Sequence, residues 1–240
     1  MERWYVAVGQ RFSVREYSRS IDRELFSELK DFAAELSNNE ARLVLLSKGN
    51  ILKTGLLGGG VSGTKCFAAV VAKKGSRYMG GYIGEAFVLE CTAMGLGTCW
   101  LGSMYKKSAV KKFINLAYDE TLICIIAVGE YSERVGAPRK RRSLERLTCM
   151  DKNEFVKLPT WQQDAVKCAR LAPSAMNKQP WETEFESDTI FLVNISNNFG
   201  YGEVDCGIAM LHIELGAAHN GVSGEWVFES GTPKFTPSNI

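Results

Sequence analysis

The 240-residue chain predicts an α+β protein built from two related halves. Three observations carry that prediction. Segments with helical spacing of apolar residues are interspersed with short β-rich runs along the whole length. A junction recurs: Met94-Gly-Leu-Gly-Thr-Cys-Trp100 closes one apolar helix, and Asn220-Gly-Val-Ser-Gly-Glu-Trp226 closes another. Each has a helix stop, small residues, then a Trp entering an extended segment, and the glycines suit a left-handed helix cap. Finally, 45% hydrophobic and 23% charged residues are the proportions of a globular chain with a real core.

The elements follow in order. Residues 2–9 form a short helix. Residues 22–36 form a second, with Leu25, Phe26, Leu29, Phe32, Ala33 and Leu36 on one side. A strand covers 42–47, a glycine-rich loop 55–63 and a strand 67–73. The helix over 84–96 is apolar on every side, hence buried. The continuous β-rich run 121–129 is a buried strand. The basic run Arg139-Lys140-Arg141-Arg142 opens a polar, weakly patterned stretch to Pro159, expected to connect the halves. The division is placed at 150, giving halves 1–150 and 151–240. The second half holds a helix over 161–172 ended by Pro173, strands at 182–186 and 189–193, a helix over 205–220 and a strand at 225–229.

Several function classes are excluded. A formal charge of +2 is far from a nucleic-acid binder. No apolar run approaches the roughly 20 residues of a membrane span, and no signal peptide is read. The seven cysteines lack metal or CxxC spacing, so they read as small buried thiols of a reducing cytoplasm. Gly58-Gly-Gly-Val-Ser-Gly-Thr-Lys65 imitates a phosphate loop, but Thr64 and Lys65 are reversed and a strand follows where a helix is needed. His212 and His219 share a helix face without a third ligand, so they read as packing residues, not a metal site.

Four sets of residues could carry chemistry. Arg11, Ser13 and Arg15 project to one side of an extended segment, two guanidinium groups and a hydroxyl suited to a phosphate; a solvated basic turn is the alternative. The run 139–142 either adds to such an anion site or is a solvated linker. Between Pro173 and Pro180, Ser174, Asn177 and Gln179 offer neutral donors and acceptors, and Met176 a soft apolar contact. That fringe suits a planar, amide-edged ring, although Ser174 could be a cap and Trp181 core. After the apolar helix, Gly102 lets a ligand approach the backbone beside Leu101, and Trp100 is either core or a ligand platform.

Arg11-Phe-Ser-Val-Arg-Glu-Tyr17, the helix from Gly84-Glu-Ala-Phe to Gly95-Leu-Gly-Thr-Cys-Trp-Leu-Gly102, and Ala172-Pro-Ser-Ala-Met-Asn-Lys-Gln-Pro-Trp181 together resemble motifs of the FMN-dependent nitroreductases. In ordinary members the Pro-Ser-x-x-Asn-x-Gln-Pro-Trp motif follows the Arg-x-Ser-x-Arg motif closely. Here that place holds Glu35-Leu-Ser-Asn-Asn-Glu40, and the motif stands in the second half. This order resembles the duplicated, single-chain TM nitroreductase-like subfamily. The resemblance implies a pseudo-dimer of two halves, each with helices on a mixed or antiparallel sheet, and one FMN per chain with a wall from each half. Arg11 and Ser13 would hold the phosphate and ribityl end, with help from Arg139 or Arg141. Arg15 would lie near the pyrimidine edge. Pro173, Ser174, Met176, Asn177 and Gln179 would line the ring, and Trp100, Leu101 and Gly102 would lie toward N5. No protein nucleophile is then required. The implied activity is hydride transfer from NAD(P)H through FMN to a small-molecule acceptor such as a nitroaromatic or quinone, in a chain whose internal pseudo-dimer allows a monomer. A non-catalytic FMN store or redox sensor is the alternative.

Overall fold

The computed structural model describes residues 1–48, 51–52, 60–133 and 139–238. In chain order the elements are α1 (Glu2–Gln10), α2 (Arg23–Glu35), β1 (Ala41–Ser47), β2 (Cys66–Lys73), α3 (Arg77–Ala93), β3 (Gly97–Leu101), α4 (Lys107–Lys111), β4 (Glu120–Gly129), α5 (Leu144–Thr148), α6 (Lys152–Phe155), α7 (Thr160–Ala169), β5 (Trp181–Glu186), β6 (Thr189–Asn194), α8 (Gly202–His219), β7 (Gly224–Glu229) and β8 (Thr232–Pro237). They form two compact units, residues 10–138 and residues 139–240 joined by 1–9.

The first unit is an antiparallel sheet in the order β1-β2-β4-β3. β2 and β4 run through its middle and are buried nearly end to end, as their unbroken apolar sequences require. α3 packs across the sheet, and Ala86 to Leu89 have no significant exposure. It begins at Arg77, earlier than the sequence suggests: Gly80 and Gly81 are buried helix residues and not breakers, and Gly80 packs closely against Ile123. Phe67, Ala69, Val71, Leu122, Ile125 and Ala127 build a continuous cluster with Val14 and Tyr17. The segment before α2 is thereby pinned to the sheet: Val14 N–H donates to Thr98 O at 2.8 Å, and Ser13 makes a parallel bridge with Thr98. Asp22 caps α2 by accepting from Leu25 N–H at 2.9 Å.

The second unit repeats the arrangement. Its antiparallel sheet runs β5-β6-β8-β7, with α5, α6 and α7 before the first strand and a long buried helix, α8, between the second and third. α3 and α8 each end on a glycine with positive φ, +78° at Gly95 and +76° at Gly221, and each is followed by a strand carrying a Trp. The repeated junction in the sequence is thus a repeated structural position. α1 belongs to this unit: Tyr5 stacks on His219 with ring centroids 3.9 Å apart, and Glu2 meets the same imidazole at 3.2 Å.

The stretch 139–159, expected to be a connection, holds α5 and α6 and belongs to the second unit. Leu147 is buried and its carbonyl accepts from Thr183 Oγ1 of β5 at 3.1 Å, while Asp151 and Glu154 close a capping box on α6. The compact units therefore part before Arg139 and not at 150. Six of the seven cysteines are buried and all are free thiols; Cys149 is the exposed one. No described helix is long and apolar enough to cross a membrane.

Candidate functional site

In the first unit, Arg11 lies with its side chain only 6% exposed, its Nε 3.8 Å from a carboxylate oxygen of Glu85. Glu85 is wholly buried on α3 and also accepts from Trp100 Nε1–H at 2.9 Å. The Trp100 indole lies against α3 at Gly84, where a Cβ would overlap the ring. Trp100 therefore packs onto α3 of its own unit and is half-buried. Arg15 is half-buried and its NH1 donates to Gly60 O at 3.4 Å, whereas Ser13 is exposed. Leu101 points into the core and Gly102 is exposed, so backbone and not side chain is what this corner offers a ligand.

In the second unit, the basic run and the Pro173–Pro180 segment are stitched together. Arg141 NH1 donates to Ala172 O at 2.9 Å and to Asn177 Oδ1 at 3.0 Å. Asn177 Nδ2 donates to Lys140 O at 2.8 Å. Gln179 is buried; its Oε1 accepts from Arg142 N–H at 2.7 Å and its Nε2 donates to Asn177 O at 3.1 Å. Arg170 Nε ties the strap from below by donating to Arg142 O at 2.7 Å. The solvated-linker reading of 139–142 therefore fails, because its backbone is bracketed by side chains of the neighbouring segment. Arg139 stays exposed. Ser174 Oγ accepts from Gln179 N–H at 2.8 Å, closing a turn whose residues Met176, Asn177 and Gln179 all have positive φ. Pro173 and Ser174 are half-buried, Met176 is 78% exposed, and Trp181 is wholly buried as the first residue of β5.

A further hub escaped the sequence reading. Asp205, in the first turn of α8, is 2% exposed; one carboxylate oxygen accepts from Ala175 N–H at 2.9 Å and the other from Asn198 Nδ2 at 2.5 Å. Asn198 Nδ2 also donates to Ala175 O at 3.1 Å. Burial pushes the Asp205 carboxyl up to about 6, against the two donors, which pull it down. Asn198 and Phe199 also have positive φ, and Phe199 is 78% exposed. The one signal available beforehand was an acidic residue at a helix start, which ordinarily means only favourable interaction with the helix dipole.

The glycine-rich loop expected over 55–63 lies mostly outside the described residues, as do Gly58 and Gly59 of the imitation phosphate loop. His212 is buried, Nδ1 3.1 Å from Cys168 O, and His219 is the partner of Tyr5; both are packing residues as expected. Among the described residues no cluster of His, Cys, Asp and Glu could hold a metal.

Residues 4–217 match the family described as "Putative TM nitroreductase". Among solved structures, a "putative nitroreductase" of Thermotoga maritima MSB8 is 22% identical and superposes with a TM-score of 0.71, covering 97% of this chain and 92% of that one. An "FMN-dependent Nitroreductase" of Clostridium difficile R20291 is 16% identical over 55% of this chain and 90% of that one, at a TM-score of 0.44. A "Putative NADH Oxidase" of Clostridium acetobutylicum is 16% identical over 60% and 99%, at 0.45. No curated protein matches the chain.

Proposed function

Because this chain belongs to the TM nitroreductase family, we propose that it is an FMN-dependent NAD(P)H oxidoreductase acting on a small-molecule acceptor such as a nitroaromatic or quinone. The family match over 4–217 supports the class, and the observation that carries the site is the bracketed surface of residues 139–142 and 172–179. There cationic side chains stand beside a rigid, neutral, amide-rich turn, the combination that a phosphate attached to an amide-edged ring asks for.

The residues fit FMN on their donor chemistry. Arg11, Ser13 and Arg15 supply cationic forks and a hydroxyl for a phosphate and ribityl chain, and the proposal has them serve the same flavin as Pro173, Ser174, Met176 and Asn177. Gln179 is kept as a residue of this site in a different role: buried, it fixes the turn from behind. Asn177 does the same for the strap while leaving the turn's outer edge to Met176. Arg139, exposed beside this surface, and Arg141 are the proposed phosphate partners of the run. Bound FMN would supply hydride acceptance and donation at N5. The chain's part is to orient the ring, keep its edge in a fixed hydrogen-bonding frame and place positive charge where electron density accumulates. The shared topology of the two units supports an origin by duplication, with one site kept and its counterpart, at Glu35 to Glu40, lost.

An absorbance titration tests the reading. The purified chain should bind one FMN and bleach it on adding NADH or NADPH without oxygen, then recover colour with a quinone or nitroaromatic. FMN binding without bleaching would favour the store or sensor, and a chain that binds no FMN would end the proposal.

A further inference from the structure

Five non-glycine residues of the second unit occupy the left-handed region in two adjoining turns: Met176 (52°), Asn177 (57°) and Gln179 (49°) in one, Asn198 (42°) and Phe199 (57°) in the other. Each such residue costs about 1 kcal/mol or more and persists only where its surroundings impose it. One side chain reaches both turns. Asp205 accepts the Ala175 backbone N–H of the first and the Asn198 amide of the second, and Asn198 also closes on Ala175 O. We propose that Asp205 is a positioning residue for the 173–181 wall, and that the presence or absence of its proton sets how firmly that wall is held. This deepens the flavin reading above and rests on it only for the consequence at the cofactor.

The direction follows from burial. The carboxyl is 2% exposed, and burial outweighs the two donors, so in the packed arrangement it holds its proton to about pH 6. When the turns part, water reaches it and it returns to the usual carboxylate range near 4. Protons therefore favour the packed wall between about pH 4 and 6, and ionisation favours its loosening as pH rises through 6. The packed turns also accommodate the protonated form. Asn198 Oδ1 is buried with no hydrogen-bond partner among the described residues, and a turn of that amide offers it to the Asp205 hydroxyl.

Other titratable groups around α8 do not supply the effect. Burial leads, and the opposing influences on Asp205, the Ala175 amide and the Asn198 side chain, are uncharged. On its own helix stand Glu203 and Cys206, the latter a thiol raised first by burial and then by Asp205 itself. The flanking turns carry Lys178, which is exposed, and Tyr201. On α7, Asp164 pairs with Lys167 and with Asn220 at the far end of α8, and Cys168 faces His212 through its carbonyl. On β5, Glu182 meets Cys149, Glu184 is exposed and Glu186 closes the strand; β6 carries no titratable residue.

Hydrogen exchange of peptides spanning 173–181, normalised for intrinsic chemical exchange, tests the latch in the full chain. Between pH 5 and 7 the wild type should lose protection by about tenfold, the factor given by a carboxyl at about 6 when packed and near 4 when open. Asp205→Asn should show the same protection at both pH values. Should that variant not fold, Asn198→Ala, which removes the waiting acceptor, should lower protection at pH 5 toward the pH 7 level. Wild-type protection that is flat with pH, or a pH response undiminished in Asp205→Asn, overturns the proposal. A parallel FMN titration should give a Kd that rises over the same pH range in the wild type and not in Asp205→Asn. A chain with the expected exchange but no FMN binding at any pH would keep the latch and remove the flavin reading, so the two failures are distinguishable.

Discussion

Asn177 combines two demands that few residues meet. Its φ of 57° is costly for a residue with a Cβ, and its amide must both donate to Lys140 O and accept from Arg141. Replacing it by Ala should remove the bonds and keep the strain, a loss of about 1–3 kcal/mol. Asn177→Gly should lose less, because glycine adopts positive φ without a steric penalty. Thermal unfolding of the two variants would order them, and an Ala variant as stable as the Gly variant would show that backbone strain is negligible there. The Asn177→Ala chain should also bind FMN with an altered flavin spectrum if the turn is the ring's frame. Arg11 poses a different balance. Arg11→Ala should weaken FMN binding about 10- to 100-fold through loss of a charge-assisted contact. It should also destabilise the apo chain, because Glu85 is wholly buried and loses a guanidinium 3.8 Å away. Adding Glu85→Gln should restore the melting temperature but not the FMN affinity; recovery of both would place Arg11 outside the flavin site. These residue types and their clustering could be read in the sequence, and the fact that Gln179 faces inward could not. An amide at a given spacing has the same composition whether it meets a ligand or the chain's own backbone.

Among elements, the long apolar helices and central strands were legible because their periodicity is strong and their residues have one use. β8 was not, since Thr232-Pro-Lys-Phe-Thr-Pro237 carries two prolines and reads as a break; its partners β6 and β7 leave its proline positions without a need for N–H donors. α5 and α6 are too short for periodicity to register, although the Asp151 and Glu154 spacing held a cap signature. β1 and β4 show how one ion pair fixes an element's end. Arg42 meets Glu120 with two contacts of 2.7 Å and also donates to Asn115 O at 2.9 Å. Those bonds hold the Glu120 carboxyl down at about 2. Its stabilisation is therefore fully present above the ordinary carboxyl range and is lost as pH falls from about 4.5 toward 2. Denaturant titrations should show Glu120→Gln losing less stability than the wild type over that interval. Asp205 has the opposite sign: its raised carboxyl adds stability as pH falls from about 6 to 4, so the two groups should bend the pH profile in opposite directions.

At the scale of the whole molecule, the two-part plan was visible in the repeated helix-glycine-Trp junction, and the structure extends it to matching strand orders. The boundary was misplaced because a basic, polar stretch looks like a linker when the partners of its backbone groups lie some thirty residues ahead, at Arg170, Asn177 and Gln179. Equally invisible was the attachment of α1, since a nine-residue helix gives no hint of which unit will bury Ala7 and Val8. Deleting residues 1–9 should lower the melting temperature and expose Tyr201 to His219 to faster amide exchange, while leaving exchange in β2 and β4 unchanged. An equal response in both sheets would contradict the assignment of α1 to the second unit. That assignment also bears on biosynthesis. Glu2 and His219 are separated by 217 positions, so on the ribosome this helix must wait for the synthesis of all the intervening chain before its aromatic partner emerges. During that interval its apolar side is a natural client for a chaperone, and the C-terminal unit reaches its final stability only once that early-made piece has come home.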